Sequence, residues 1–264
     1  MYGYWYSVRE NYSFTRKELT EVFWTSIAFA FMLTSYYKDI FVINNDIRFM
    51  ISSEAFFFFI LATGVVFLCM YGHVALQKLV GIKLGYKVNY QYWRNAILIG
   101  LFLSVISLGK VPILSLLLLP GSITLEHLPK LRMGKFRYGT NTKDIARISL
   151  AGPLSHIIIV MILGILYFMS GKDKTVFIFI TANLLLMIYT MLPIPKIDLP
   201  SSMGSATDGF GIFYHSRGLY VLGAATVLFY AVLIWSANIF SFMLAFGMGI
   251  IATTIFSIAT GQKN

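Results

Sequence analysis

Cysteine is nearly absent. Cys69 is the single one in 264 residues, so no intrachain disulfide can form and cysteine usage leaves the redox compartment open. Charge is sparse as well: Asp, Glu, Lys and Arg make up 12% of the chain, about half the share usual in a soluble domain. Acidic residues are fewer still, 11 against 21 basic. Residues 1–21 lack the apolar core of a secretory signal and carry Arg9, Glu10, Arg16, Lys17, Glu18 and Glu21, so no such signal is expected. No internal repeat or low-complexity linker stands out. What is abundant is apolar: 58% of residues are hydrophobic and 16% aromatic. Mean hydropathy is +0.75. This balance excludes an ordinary soluble domain and points to a polytopic membrane protein. The net charge of +10 could suit nucleic acid. Here the basic residues cluster in short loops beside apolar segments, which is the pattern of membrane orientation, and no nucleic-acid partner is expected.

A membrane-crossing helix needs roughly 20 mostly apolar residues, with about 17 tolerated. Apolar segments run over Val22–Tyr37, Ala55–Val80, Asn95–Leu119, Ile145–Met169, Thr175–Leu192, Gly218–Trp235 and Asn238–Gly261. Ser13 or Thr15 can cap the first. Gly109-Lys110-Val111-Pro112 breaks the third. Were that region one full span, Lys130, Arg132, Lys135, Arg137, Lys143 and Arg147 would fall outside the cell, against the positive-inside bias. A re-entrant or helix-plus-strand element over 95–123, reversing near Gly109, keeps them inside. Non-helical backbone at membrane depth survives only when buried in protein or lining a wet cavity. The expected architecture is an all-α polytopic membrane protein with about six transmembrane helices plus this element. It forms a single membrane domain over 1–264, with a cytoplasmic or interfacial segment at 1–21 and a helical hairpin at 218–261. Its N-terminus and main basic loops face the cytoplasm, in the cell membrane. Tyr2, Tyr4, Trp5 and Tyr6 suit the bilayer interface.

Three stretches carry candidate chemistry. The first is Cys69-Met70-Tyr71-Gly72-His73. Residues 69 and 73 lie one helical turn apart on one face, so a thiolate and an imidazole could reach one ion. His73 also reads as a histidine hydrogen-bonded near a helix end. The second is Leu150-Ala151-Gly152-Pro153-Leu154-Ser155-His156. Its small residues permit close helix approach, and His156 reads either as a ligand or proton carrier or as a packed, hydrogen-bonded side chain. The third is Met191-Leu192-Pro193-Ile194-Pro195-Lys196-Ile197-Asp198, followed ten residues on by Asp208-Gly209. Both aspartates also read as residues of a solvated loop, as does the pair Glu126-His127.

In this order and spacing, over about residues 13–220, these stretches resemble the site-2 protease family of intramembrane zinc metalloproteases, archaeal-type members especially. The first resembles the helix bearing His-Glu-x-x-His. The second resembles Ala-Gly-Pro-Leu-x-Asn, and the third resembles Asn-x-Leu-Pro-Ile-Pro-Pro-Leu-Asp-Gly. Leu119-Pro120-Gly121-Ser122-Ile123 is similar to a Pro-Gly turn ahead of an embedded strand in that family. The resemblance implies a site-2-protease-like core over 55–193 and an inserted loop over 199–208. It implies zinc as the possible cofactor, with Cys69, His73, Asp198 and Asp208 as candidate ligands. It implies a cleft bearing Gly152, Pro153, His156, Pro193 and Pro195. The chain departs from the pattern at several points. Cys69 stands at the first histidine, and Met70 stands at the general-base glutamate, where a thioether cannot accept a proton. His156 stands at the asparagine and Leu199 at the glycine, while Asp208-Gly209 restores Asp-Gly downstream. Either aspartate can inherit the ligand role.

The implied function is that of an inactive member. Such a protein binds or escorts transmembrane segments of other proteins, or serves as a subunit of a membrane complex, with lipids as its other partners. One alternative is an atypical active metalloprotease using Cys69, His73 and an aspartate. Another is a small-solute channel or transporter, motivated by the broken helix and Lys110.

Overall fold

A computed structural model describes residues 4–38, 41–44, 46–49, 52–107, 121–128, 142–194, 207–233 and 239–261. By contacts the chain divides into two units. One comprises Met1–Ser13, Gly72–Tyr90 and Ser122–Asn264; the other comprises Phe14–Tyr71 and Gln91–Gly121. Among the described residues, helices dominate. Four are long and apolar enough to cross a membrane: Ser53–Leu84, Lys143–Met169, Lys174–Met191 and Met243–Thr260.

The unit that starts at Phe14 opens with α2 (Arg16–Tyr37); the short α1 (Tyr4–Asn11) precedes it and belongs to the other unit. Thr15 caps α2 with a reciprocal box: its hydroxyl accepts from Glu18 N at 3.2 Å, and Glu18 Oε2 accepts from Thr15 N at 2.8 Å. This box starts the helix six residues ahead of the apolar run that begins at Val22, because two otherwise orphaned donors are satisfied there. After α2 an antiparallel hairpin pairs β1 (Phe41–Asn44) with β2 (Asp46–Phe49), in register Phe41 to Phe49 and Asn44 to Asp46. Its sequence, β-branched and aromatic residues flanking Asn-Asn-Asp, is a hairpin signal inside what reads as an outer loop. Next comes α3 (Ser53–Leu84), which continues into the other unit, and α4 (Arg94–Ile106). Here α2 and α4 pack through Ala28, Met32 and Ile97, flanked by Tyr92 and Leu101. The buried Glu21 carboxylate accepts from Tyr92 N at 3.0 Å.

Of the broken third segment the structure describes a helix, Arg94–Ile106, and a strand, β4 (Ser122–His127), follows the segment. The expected reversal near Gly109, Lys110 and the basic residues at 130–137 lie outside the described residues.

In the other unit α3 ends at Gly85, whose φ of 90° suits glycine and turns the chain into β3 (Tyr86–Gln91). Strands β3 and β4 form a two-stranded sheet. Leu128 N donates to Gly85 O while Thr124 meets Asn89, so the pair steps in opposite directions and is antiparallel. The Glu126 carboxylate accepts from Asn89 Nδ2, and the His127 ring lies 4.9 Å from the Tyr86 ring. This pair thus lies on a strand, where a loop was the expectation, with Glu126 exposed to solvent as expected. Tyr86, Val88, Ile123 and Ile148 make a small core between sheet and helix.

The bulk of this unit is a helical bundle: α5 (Thr142–Met169), α6 (Lys174–Met191), α7 (Asp208–His215), α8 (Arg217–Val232) and α9 (Ile239–Thr260). Ile157, Val160, Ile180, Leu184, Met187, Met191, Ile212, Val227, Tyr230 and Ala245 form its core. The expected C-terminal hairpin is present as α8 packed on α9. Ile158, Ile162 and Ile165 of α5 and Ile251, Ile255 and Ile258 of α9 face outward, exposed. Apolar patches of this kind suit hydrocarbon better than water.

Candidate functional site

Several buried polar side chains of this bundle come together in one cluster. His73 on α3, Asp208 at the start of α7 and His156 on α5 are all buried. Asn183 on α6 and Gln77 on α3 are buried beside them. Gln77 lies one turn after His73 and so shares its face.

The local sequence explains each placement. Gly152 of α5 sits against His73: a Cβ there would lie 2.4 Å from His73 Cε1 and 2.7 Å from Gln77 Nε2. Only glycine leaves room for the imidazole. Thr207 caps α7, its hydroxyl accepting from Phe210 N at 3.2 Å and donating to Leu192 O at 2.8 Å. The same oxygen accepts from Ile194 N at 3.2 Å. The Leu192-Pro193-Ile194 turn after α6 is thereby tied to the start of α7, which sets Asp208 in place. Gly209 follows for a steric reason: a Cβ would stand 2.1 Å from Met191 O, a backbone atom that cannot swing away. The Asp-Gly pair is thus required where a carboxylate enters the cluster and the next residue abuts the end of α6.

The hydrogen bonds run in a chain. Asn183 Nδ2 donates to His156 O at 2.9 Å, and Asn183 Oδ1 lies 2.6 Å from His156 Nδ1. A backbone carbonyl only accepts, so the amide orientation is fixed and His156 Nδ1 carries the proton. His156 Nε2 is then the acceptor, 3.0 Å from His73 Nδ1, which donates. His73 Nε2 faces Asp208 Oδ2 at 2.8 Å. Two lone pairs would meet there unless a proton or a cation lies between them. Asp208 Oδ1 accepts from Gln77 Nε2 at 2.7 Å. Gln77 Oε1 is buried without a partner.

Among the described residues, Asp208 is the aspartate that meets His73, and it is buried where a solvated loop was one reading. Asp198 and Pro195 lie outside the described residues. His156, Gly152 and Asp208 converge on His73. Pro153 sits inside α5, and Pro193 lies in the turn tied to Thr207. Cys69 is buried one turn before His73 on α3, and Met70 is wholly buried. Neither Gln77 nor Asn183 stood out in the sequence. A lone amide in the apolar run Thr175–Leu192 was the available signal for Asn183, since such a group needs a partner in a membrane. For Gln77 it was the i+4 spacing from His73.

Among the described residues the arrangement falls short of a full set of zinc ligands. A catalytic zinc takes three protein ligands that converge on one point. Only His73 Nε2 and Asp208 Oδ2 converge here, because His156 is engaged on the opposite nitrogen of the His73 ring. Among the described residues no group of three His, Cys, Asp or Glu side chains is arranged to hold an ion. The cluster is a closed proton-bearing chain linking three helices to α7. No family model, no curated protein and no solved structure matches this chain.

Proposed function

We propose that the chain is a non-hydrolytic membrane protein on a site-2-protease-like core of about six spans. It holds a transmembrane segment of another protein or serves as a subunit of a membrane complex. Its place is the cell membrane, with the N-terminus and basic loops in the cytoplasm. The observation that carries this reading is the closed chain His156–His73–Asp208–Gln77 with Met70 three residues before His73. Peptide hydrolysis needs an activated water and a proton acceptor within reach of it. Met70 offers a thioether, and both oxygens of Asp208 are engaged. The spacing of the three motifs and the glycine contacts at 152 and 209 support the core. The two-stranded sheet of β3 and β4 supports the binding role, because an extended segment can be held by strand addition to a sheet.

The test is reconstitution with a fluorophore-labelled transmembrane peptide. The wild type is expected to bind the peptide and leave it intact, and Cys69→His with Met70→Glu to raise cleavage above wild type in a folded protein. Cleavage by wild type that disappears in His73→Ala would overturn the non-hydrolytic reading. Failure to bind any of a panel of transmembrane peptides would overturn the binding role.

A further inference from the structure

A second polar feature lies at the other chemical extreme, a basic cavity. It has a volume of about 780 Å³ and is bounded by α5, α7, α8 and α9. Lys143 and Arg147, one turn apart on α5, and Arg217, the first residue of α8, supply three cations to its wall. Among the described residues no carboxylate lines it. Asp144 is the neighbouring acid, and its Oδ1 lies 3.6 Å from Arg147 Nη1. Leu219, Leu222 and Thr253 make the rest of the wall more apolar.

Two further features point to an anion. Ser216 caps α8, with its hydroxyl accepting from Leu219 N at 3.4 Å, and the first-turn amides of a helix have no acceptor within it. Such amides attract phosphoryl oxygens. His215 lines the cavity as well, and an imidazole N–H can donate to an anion.

Location selects the source of the anion. Lys143 opens the membrane-length helix 143–169, and Thr253 lies within the membrane-length helix 243–260, seven residues from its end. The cavity therefore spans from helix ends to roughly 10 Å down a helix. A headgroup belongs at the first level and acyl carbon at the second. Basic pockets between membrane helices take anionic lipid headgroups in this way. We infer that this cavity binds the phosphodiester headgroup of an anionic phospholipid, with Lys143, Arg147 and Arg217 around the phosphate and Leu219 and Leu222 against its chains. The inference does not depend on the chemistry at His73.

The experiment uses the full chain in mild detergent, titrated with short-chain phosphatidylglycerol, short-chain phosphatidylcholine and inorganic phosphate, and read by native mass spectrometry. Phosphatidylglycerol is expected to bind more tightly than phosphatidylcholine. Each of Arg147→Gln and Arg217→Gln is expected to weaken it about fivefold, with Arg217→Lys retaining most of the affinity. Lys172→Gln with Lys174→Gln, which removes two cations at the far end of α5, is expected to leave binding unchanged. Equal loss in that control would overturn the site in favour of general surface charge. Inorganic phosphate binding as tightly as the lipid would overturn the lipid assignment and give the cavity to a soluble phosphoryl group. Undiminished lipid binding in the double variant Arg147→Gln/Arg217→Gln would overturn the proposal outright.

Discussion

Gly152 and His73 pack so closely that no side chain fits between them: a Cβ on residue 152 would stand 2.4 Å from the imidazole. Gly152→Ala must therefore push His73 or Gln77 aside, at about 1–3 kcal/mol for the overpacking alone. Gly64→Ala is the contrast. Nothing lies within 4 Å of that added methyl, and alanine favours a helix interior by about 0.5–1 kcal/mol. Thermal unfolding in one detergent should show a lowered midpoint for Gly152→Ala and an equal or raised one for Gly64→Ala.

Gly209→Ala should be the harsher change. The added Cβ meets the Met191 carbonyl and the Leu192 backbone, so α7 must shift as a body and take Asp208 with it. A larger midpoint loss than for Gly152→Ala is the expected outcome, measured the same way. An equal or smaller loss would mean that α7 moves freely against the end of α6.

The proton assignment along the cluster has a spectroscopic consequence. In nitrogen-15 NMR of histidine-labelled protein, His156 should report a neutral ring protonated at Nδ1. Asp208→Asn should leave His73 neutral as well, with the new amide donating to Nε2. Asn183→Leu removes the acceptor of His156 Nδ1 and a donor to His156 O, at about 1–3 kcal/mol for the groups left unpaired. It should also release the His156 tautomer, visible as a changed Nδ1 signal.

Burial holds His215 below the ordinary imidazole range. The unfolded chain thus takes up a proton there more readily than the folded one. Stability from the neutral ring is fully present above the unfolded value of about 6.5 and is lost as pH falls below it toward the depressed folded value. His215→Asn should flatten that part of the stability profile between about pH 5 and 7, as read from urea midpoints.

Much of this fold was legible because hydrophobic length is a strong signal in a membrane protein. The segments at 55–80, 145–169, 175–192 and 238–261 match the four membrane-length helices to within a few residues. Thr15 was legible as a cap, and its partner Glu18 explains why the helix begins before the apolar run. The hairpin at 41–49 was missed, since its short strands are overshadowed by the long apolar runs on either side. In the site, His73 and His156 could be named from their flanks, whereas the choice of Asp208 could not be made from spacing alone. It rests on the contact between Gly209 and the Met191 carbonyl, a relationship between distant backbone segments. Asn183 and Gln77 follow only once the helices are placed, because each matters through what it faces.

The central claim is that His73 and Asp208 are joined by a proton within a closed chain rather than by a metal. Zinc per chain, measured after mild detergent purification and zinc supplementation in wild type and His73→Ala, tests it most directly. The account predicts no zinc that depends on His73. One zinc per wild-type chain, absent from His73→Ala, would contradict it.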